Sequence, residues 1–294
     1  MSVGLILNEK ENFFFGAPAS YRTKKKTVRA RHFNRKIKIR IEKDNFLIKT
    51  AENDEEVYES LRLRHHVINR EMSGPAQNCT IDFDRFDQLS DHLLIIDRAS
   101  NSISATYRLT CSLHAKDFPS EKEFDISRLL KKKGIKLEIG KSCLARPYRN
   151  TNMVGMLWSG LEEYCRAADV RYIFGCSSVM TIDPLRIAML HRFFSDRYAA
   201  PEDLRAFARG GYRLKLIEKY VDEIGRSKDL SNYSAVEATL PSLMKSHLLA
   251  GAVVCGEPAL NVEQKCSDFL TLLDIRKWNK PYIDVRTGRM GSTS

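Results

Sequence analysis

The chain has 294 residues, 43% hydrophobic and 29% charged, which is enough for a hydrophobic core without disulfides or a structural metal. Its longest apolar run, Leu248 to Cys255, falls far short of the roughly 20 residues of a spanning helix, and Glu9 to Asn12 interrupts the apolar start before a secretory h-region forms. Net charge is +11, and residues 1–43 alone supply +9, so the other 251 residues are close to balance.

Seven cysteines (79, 111, 143, 165, 176, 255 and 266) are odd in number, scattered, and without a Cys-x-x-Cys pair, which speaks against a disulfide scaffold or zinc site. Seven dispersed histidines offer no metal spacing, and the adjacent His65 and His66 would point in different directions on a helix. The expectation is a reduced, cytoplasmic protein with no metal and no tightly bound cofactor.

The basic excess of residues 1–43 lies in Arg22, Lys24, Lys25, Lys26, Arg29, Arg31, Arg35, Lys36, Lys38 and Arg40. Such a run attracts polyanions, and Phe13-Phe14-Phe15 and Phe33 suit a lipid interface better than a phosphate backbone. Residues 1–43 are therefore read as a basic, flexible tail that meets an anionic membrane surface through residues 22–40, with a peripheral location on the inner membrane and no nucleic-acid partner. A purely solvated tail is the alternative. Residues 44–294 read as one folded domain.

The spacing predicts a helix over 54–72, capped by Asn53 with Glu56 three residues on. Val57, Leu61, Arg64 and Ile68 share one face, so an arginine stands in the apolar stripe. An inward guanidinium needs a carboxylate or an anionic ligand, and Asp82, Asp84, Asp87 and Asp91 follow Gly74-Pro75 as candidates. The alternative is an arginine that snorkels to the helix edge.

Strands are predicted over His92–Asp97, Ile103–Cys111 and Ile135–Leu144, the last broken by Gly140, a natural place for a bulge. A turn over Pro147–Asn152 leads into a helix to about Ala168, with Leu157, Leu161, Tyr164 and Ala168 as its buried stripe. Then come a buried strand over Tyr172–Val179, a helix opened by Asp183-Pro184 and running through Phe194, a helix ending near Gly251, and strands at Ala252–Cys255 and Phe269–Ile275. Strands and helices mix without repeats, giving an α/β or α+β sheet covered by helices.

One stretch carries chemistry. Glu138 lies in a hydrophobic strand, where a carboxylate is expensive unless it works or is paired, and a simple salt bridge is the competing explanation. The turn after it holds Arg146, Arg149 and Asn150 directly before a helix N-terminus, a setting that suits a phosphate. An acid on the strand followed by an anion cradle suggests group transfer from a phosphopantetheine carrier. Cys143 has no His arranged to activate it as an acyl nucleophile. His191 and Asp183 could touch an acceptor, although a core or surface role suits them as well.

Six short words in order sharpen the picture: Arg64 to Ile68; Asp84-Arg85-Phe86-Asp87 continuing into Asp91-His92-Leu93; Thr106-Tyr107-Arg108-Leu109; Glu138-Ile139-Gly140-Lys141-Ser142-Cys143; Pro147-Tyr148-Arg149-Asn150; and Gly175-Cys176-Ser177-Ser178. With Leu240-Pro241-Ser242-Leu243 and Gly256-Glu257-Pro258-Ala259, they resemble the ornithine N-acyltransferases over about residues 50–280. These are acyl-carrier-protein-dependent enzymes of the acetyltransferase-like superfamily, related to the acyl-homoserine-lactone synthases.

The resemblance implies an acetyltransferase-like mixed, largely antiparallel sheet flanked by helices. It implies N-acylation of the α-amino group of an amino acid, most readily ornithine, by a fatty, 3-hydroxylated acyl chain from acyl carrier protein, giving a lyso-ornithine lipid. The thioester would arrive on the carrier's phosphopantetheine. Glu138 would be the base, helped by Lys141, with an oxyanion site at the backbone of Gly140–Ser142. Arg64, Asp84, Asp87, Arg108 and Ser142 would shape the acceptor pocket, and Arg146, Arg149 and Asn150 would hold the phosphopantetheine. A homoserine-lactone-type signal synthase, or a basic membrane- or nucleic-acid-binding module on the same fold, is the alternative.

The sequence departs from the family pattern twice. Lys141 stands where arginine is usual and cannot make its bidentate contact. Asn150 and Asn152 stand where coenzyme A enzymes have loop glycines, which suits a carrier-protein donor.

Overall fold

The computed structural model describes residues 33–72, 81–149, 152–215, 217–226 and 233–279. Its framework is a nine-stranded sheet whose main path runs β1 (Arg40–Lys43), β2 (Phe46–Thr50), β3 (Asp91–Asp97), β4 (Ser102–Cys111), β6 (Ile135–Leu144), β7 (Val170–Val179), β11 (Cys266–Asp274) and β10 (Ala259–Asn261). β9 (Val253–Val254) also pairs with β11, and a separate ribbon joins β5 (Phe124–Asp125) to β8 (Phe207–Ala208). Among the described residues every pairing between these strands is antiparallel except β6 with β7. The mixed, largely antiparallel sheet expected from the sequence is present.

The two faces follow from strand alternation. On β4, Ala105, Tyr107, Leu109 and Cys111 enter an apolar core with Leu157, Leu161 and Tyr164 of α3 (Met153–Ala167), while Thr106, Arg108 and Thr110 point to the other face. The polar face is covered by α1 (Asp54–Arg64) and by 3-10 turns at Arg85–Gln88 and Pro119–Lys122, followed by α2 (Ser127–Leu130). Toward the β10 edge, α4 (Pro184–Arg197), α5 (Ile217–Arg226), α6 (Tyr233–Ala238) and α7 (Ser242–Leu249) close the α3 side, with Phe194 edge-on to Phe269.

The helix predicted over 54–72 is α-helical only through Arg64 and continues as a π-helix over His65–Met72. Asn53 caps it as expected, accepting from Glu56 N at 2.9 Å. The basic segment also divides differently. Residues 33–43 belong to the folded body: Lys36 N and Ile37 N donate to Asp91 at 2.8 and 3.0 Å, Ile39 is buried, and β1 pairs with β2. Residues 1–32, with Arg22 to Arg31 and Phe13-Phe14-Phe15, lie outside the described residues. Charge alone concealed the strand, because Arg40 and Glu42 sit on an edge where charged side chains stay solvated.

β6 and β7 pair only from Ile135↔Val170 to Glu138↔Phe174, so beyond Glu138 the sheet forks. On its other side β6 meets β4 through a bulge: Thr106 faces Cys143 and Arg108 faces Gly140, which leaves Lys141 and Ser142 opposite Tyr107 alone. The left-handed backbone falls on Lys141 (φ +54°), one residue beyond the glycine that marked the site in the sequence.

Helix α3 packs close to the sheet because Gly160 has no side chain. A Cβ there would lie 2.8 Å from Leu93 Cδ1 and 2.9 Å from Ile48 Cγ2, both on fully buried residues. Gly160→Val is expected to cost about 1–3 kcal/mol through overpacking, read as a lower midpoint in chemical unfolding.

Candidate active site

Three cations and three carboxylates meet on the polar face of the sheet. Arg64, at the end of α1 and without solvent exposure, donates to Asp87 (Nη1–Oδ1 2.6 Å, Nη2–Oδ2 3.3 Å) and to Asp82 (Nε 3.1 Å, Nη2 3.0 Å). Arg108, from β4, donates to Asp84 at 2.6 Å. Lys141, from the bulge, reaches Asp82 at 2.9 and 3.1 Å. Asp84 and Asp87 close a capping box on the 3-10 turn, with Asp87 accepting from Asp84 N at 2.8 Å.

The electrostatics follow from this mutual neutralisation. Burial pushes the Asp82 carboxyl up, but Lys141 and Arg64 overcome it and hold the group below the usual carboxylate range. Asp84 is likewise raised by burial and brought down to about 2 by Arg108, Lys141 and Arg64. His92, buried beneath them with Ser60 Oγ at 3.4 Å and Asp87 O at 3.2 Å, is lowered by burial to about 4 and stays neutral.

Glu138 sits on β6 at the last pairing before the fork, 4% exposed. Ser120 holds it twice, donating its N–H at 3.0 and 3.3 Å and its Oγ–H at 3.0 Å. Burial pushes Glu138 up to about 8, against the lowering effects of Arg108 and the Ser120 hydrogen bonds. No ion pair explains this carboxylate among the described residues; its partners are the donors of a neutral serine. The arrangement suits a base poised near neutrality.

The structure thus brings together Glu138, Arg108, Asp84, Asp87, Arg64 and Lys141. Asp91, a candidate partner for Arg64, is used elsewhere, accepting from Lys36 N, Ile37 N and Tyr164 Oη. Lys141 grips Asp82, so as it stands its charge is committed inside the protein. Ser142 points to the opposite face, buried beside the Tyr107 hydroxyl, because the bulge reverses the side-chain alternation after Lys141. Only its backbone is placed at the fork.

The predicted phosphate cradle is partly described. Arg146 is exposed on a 3-10 turn at the end of β6, Arg149 donates to Leu144 O at 3.2 Å, and α3 begins at Met153. Asn150 lies outside the described residues. Cys143 packs with Val67 and Ile68, and burial pushes its thiol up to about 12, which suits a packing role. Asp183 caps α4 and His191 lies along it, apart from the network. Ser120 escaped the sequence reading: it stands 18 residues from Glu138, in a Phe-Pro-Ser turn with no local signature.

A family profile described as an acetyltransferase (GNAT) domain matches residues 63–159, the stretch from Arg64 to the middle of α3. An L-ornithine N(alpha)-acyltransferase of Rhodobacter capsulatus is 27% identical over 258 residues, covering 84% of this chain and 96% of that protein. The enzyme of the same name from Brucella abortus is 27% identical over 252 residues, covering 80% and 86%. A solved CoA-dependent acyl-homoserine lactone synthase superposes with a TM-score of 0.42 at 15% identity, covering 82% of this chain and 85% of that one. The chain is an acyltransferase with the acetyltransferase fold, similar along most of its length to L-ornithine N(alpha)-acyltransferases.

Proposed function

We propose that this protein moves a fatty acyl group, taken as 3-hydroxylated, from acyl carrier protein to the α-amino group of ornithine, giving a lyso-ornithine lipid. The acceptor follows from the relatives' name and the length of the similarity. The observation that carries the chemistry is Glu138: buried, lifted to about 8, held by Ser120, and set where β6 and β7 part.

A protonated amine cannot attack a thioester. Glu138 takes a proton from the ammonium group, directly or through a water; the amine nitrogen then bonds to the acyl carbon. The carbonyl oxygen becomes an oxyanion, for which the backbone N–H groups around the Lys141–Ser142 bulge are the nearest donors on β6. Collapse breaks the carbon–sulfur bond and expels the phosphopantetheine thiolate, which takes up the second proton released by the nitrogen as the amide forms. Arg64, Arg108, Asp84 and Asp87 shape the acceptor side, and Arg146, Arg149 and Asn150 are assigned to the phosphopantetheine. The missing glycine-rich phosphate loop supports a carrier-protein donor over coenzyme A.

The product and the membrane share the remaining inference. Arg35 pairs with Glu52 and the Lys36 ammonium donates to Gln88 O and Ser90 O, so these two serve the fold, while Arg40 stays solvated on the edge strand. The membrane contact proposed for residues 22–40 therefore falls mainly on Arg22, Lys24, Lys25, Lys26, Arg29 and Arg31. Each basic residue contributes roughly 1 kcal/mol at an anionic surface, screened by salt.

Glu138→Gln should lower turnover by about 10²–10⁴-fold, measured by mass spectrometry of the N-acyl amino acid. The wild type should lose activity as pH falls below about 8, as the base becomes protonated. Because burial raises Glu138 from 4.5, its charge costs stability increasingly between pH 4.5 and about 8. The amide removes that cost, so at pH 8 the inactive variant should melt above the wild type. Near-wild-type turnover across pH 7–9 would remove Glu138 from the mechanism.

Lys141→Arg should retain activity, whereas Lys141→Met leaves Asp82 with Arg64 alone and should lose at least about tenfold in kcat/KM. Cys143→Ala should stay active; complete loss with a normal melting curve would revive a covalent route. Removing residues 1–32, and not 1–43, should abolish salt-sensitive binding to anionic liposomes while leaving transfer to a soluble acceptor intact. Unchanged liposome binding with a raised KM for the carrier protein would instead make this segment a carrier dock.

A further inference from the structure

A second pair of buried acids lies on the same face as Glu138, outside the mechanism. Glu123 ends the Pro119–Lys122 turn, and Asp268 projects from β11; each is 1% exposed, and their carboxyls lie close enough to act on each other. Glu123 also accepts from Asn261 Nδ2 at 3.1 Å, and Asp268 from Ser178 Oγ and from Cys266 Sγ at 3.7 Å. Two carboxylates in contact cannot both be ionised in such a site, so one proton is shared.

The position of the pair matters more than its acidity. Ser178 lies on β7 four residues past Phe174, the last residue paired with β6, so the acids are anchored on the β7–β11 arm of the fork. The same turn reaches the other arm: Ser120 holds Glu138 on β6, and Glu123 N donates to Ser120 O at 3.1 Å. Residues 119–123 are thus a strap across the fork, tied by a carboxyl at each side. Arg209 N fixes the strap's exit by donating to Glu123 O at 2.7 Å.

We propose that Glu123 and Asp268 are positioning residues: by sharing a proton they hold the strap, and the strap presents Ser120 to the base. The proposal rests on the reading of Glu138 as the base. The groups that face the pair are Lys122 on the turn, Asn261 on β10, Cys266 on β11, and Ser178 and Cys176 on β7. Cys176 lies on β7 between Phe174, which pairs with Glu138, and Ser178, which pairs with Asp268, and so stands between pair and base. Burial and the Asp268 charge push Glu123 up to about 9, so near neutral pH the pair keeps a proton.

The test uses the full chain with two readouts. One is the titration of 13C-labelled glutamate carboxyls, in which Glu138→Gln assigns the signal of the base. The other is kcat/KM against pH, where the amine contributes the same limb to every variant. Glu123→Gln keeps a donor toward Asp268 and should leave both readouts unchanged. Glu123→Ala frees the strap, weakens the Ser120 hydrogen bonds to ionised Glu138, and should move the Glu138 titration and the acidic limb together to higher pH by about one unit. If Glu123→Ala does not fold, Glu123→Asp, one methylene short of Asp268, takes its place with the same expected direction. An unmoved Glu138 titration in the folded variant, or equal shifts in the Gln and Ala variants, would overturn the proposal. A shifted titration in a protein that forms no amide from an acyl-carrier thioester and ornithine would leave the strap standing and overturn the transferase reading.

Discussion

A guanidinium without access to water has to be neutralised where it stands, and Arg64 is neutralised by Asp82 and Asp87 together. That requirement ties four segments of the chain to one point. The end of α1 supplies the cation, the 82–88 loop the acids, β4 the second arginine, and the β6 bulge the lysine. Removing one member of such a buried set leaves an uncompensated charge, at a cost of about 3–5 kcal/mol. A network of three cations and three carboxylates therefore fixes the loop to the sheet in one register.

Beside this balanced cluster, Glu138 is held differently. Among the described residues no lysine or arginine pairs with it directly, and its bonds come from the backbone and hydroxyl of Ser120. Three carboxylates in one neighbourhood thus diverge: Asp82 and Asp84 are held low by cations, while Glu138 is lifted by burial toward neutrality. A site that needs fixed negative charges and one exchangeable proton obtains both from the same residue types by placing them differently.

The fork and the bulge lie next to each other on β6. β6 leaves β7 just after Glu138, and three residues later the extra residue at Lys141 turns the strand. Backbone groups that a regular sheet would consume are released within a few residues of Glu138, the proposed base. The turn at 119–123 touches both arms, through Ser120 to Glu138 and through Glu123 to Asn261.

The sequence placed α1, β3, β4, β6, α3, β7, α4, α7, β9 and β11 in order, because apolar periodicity records burial directly, and left β2, β5, α2, β8, α5, α6 and β10 unassigned. It also determined the inward face of Arg64, since an unpairable charge in an apolar stripe demands a partner, and it marked Glu138 as an unusual acid. It misjudged residues 33–43, because an edge strand carries charges as a solvated tail does. It put the bulge's strain on Gly140, the residue that tolerates it best, whereas register against β4 decides where an extra residue falls. Only the tertiary structure chose Asp82 and Asp87 over Asp91, turned Ser142 to the far face, and brought Ser120 and the Glu123–Asp268 pair to the fork. These contacts join segments 18 to 145 positions apart, and no local spacing encodes which of several equivalent carboxyls or hydroxyls the folded sheet brings within hydrogen-bond reach.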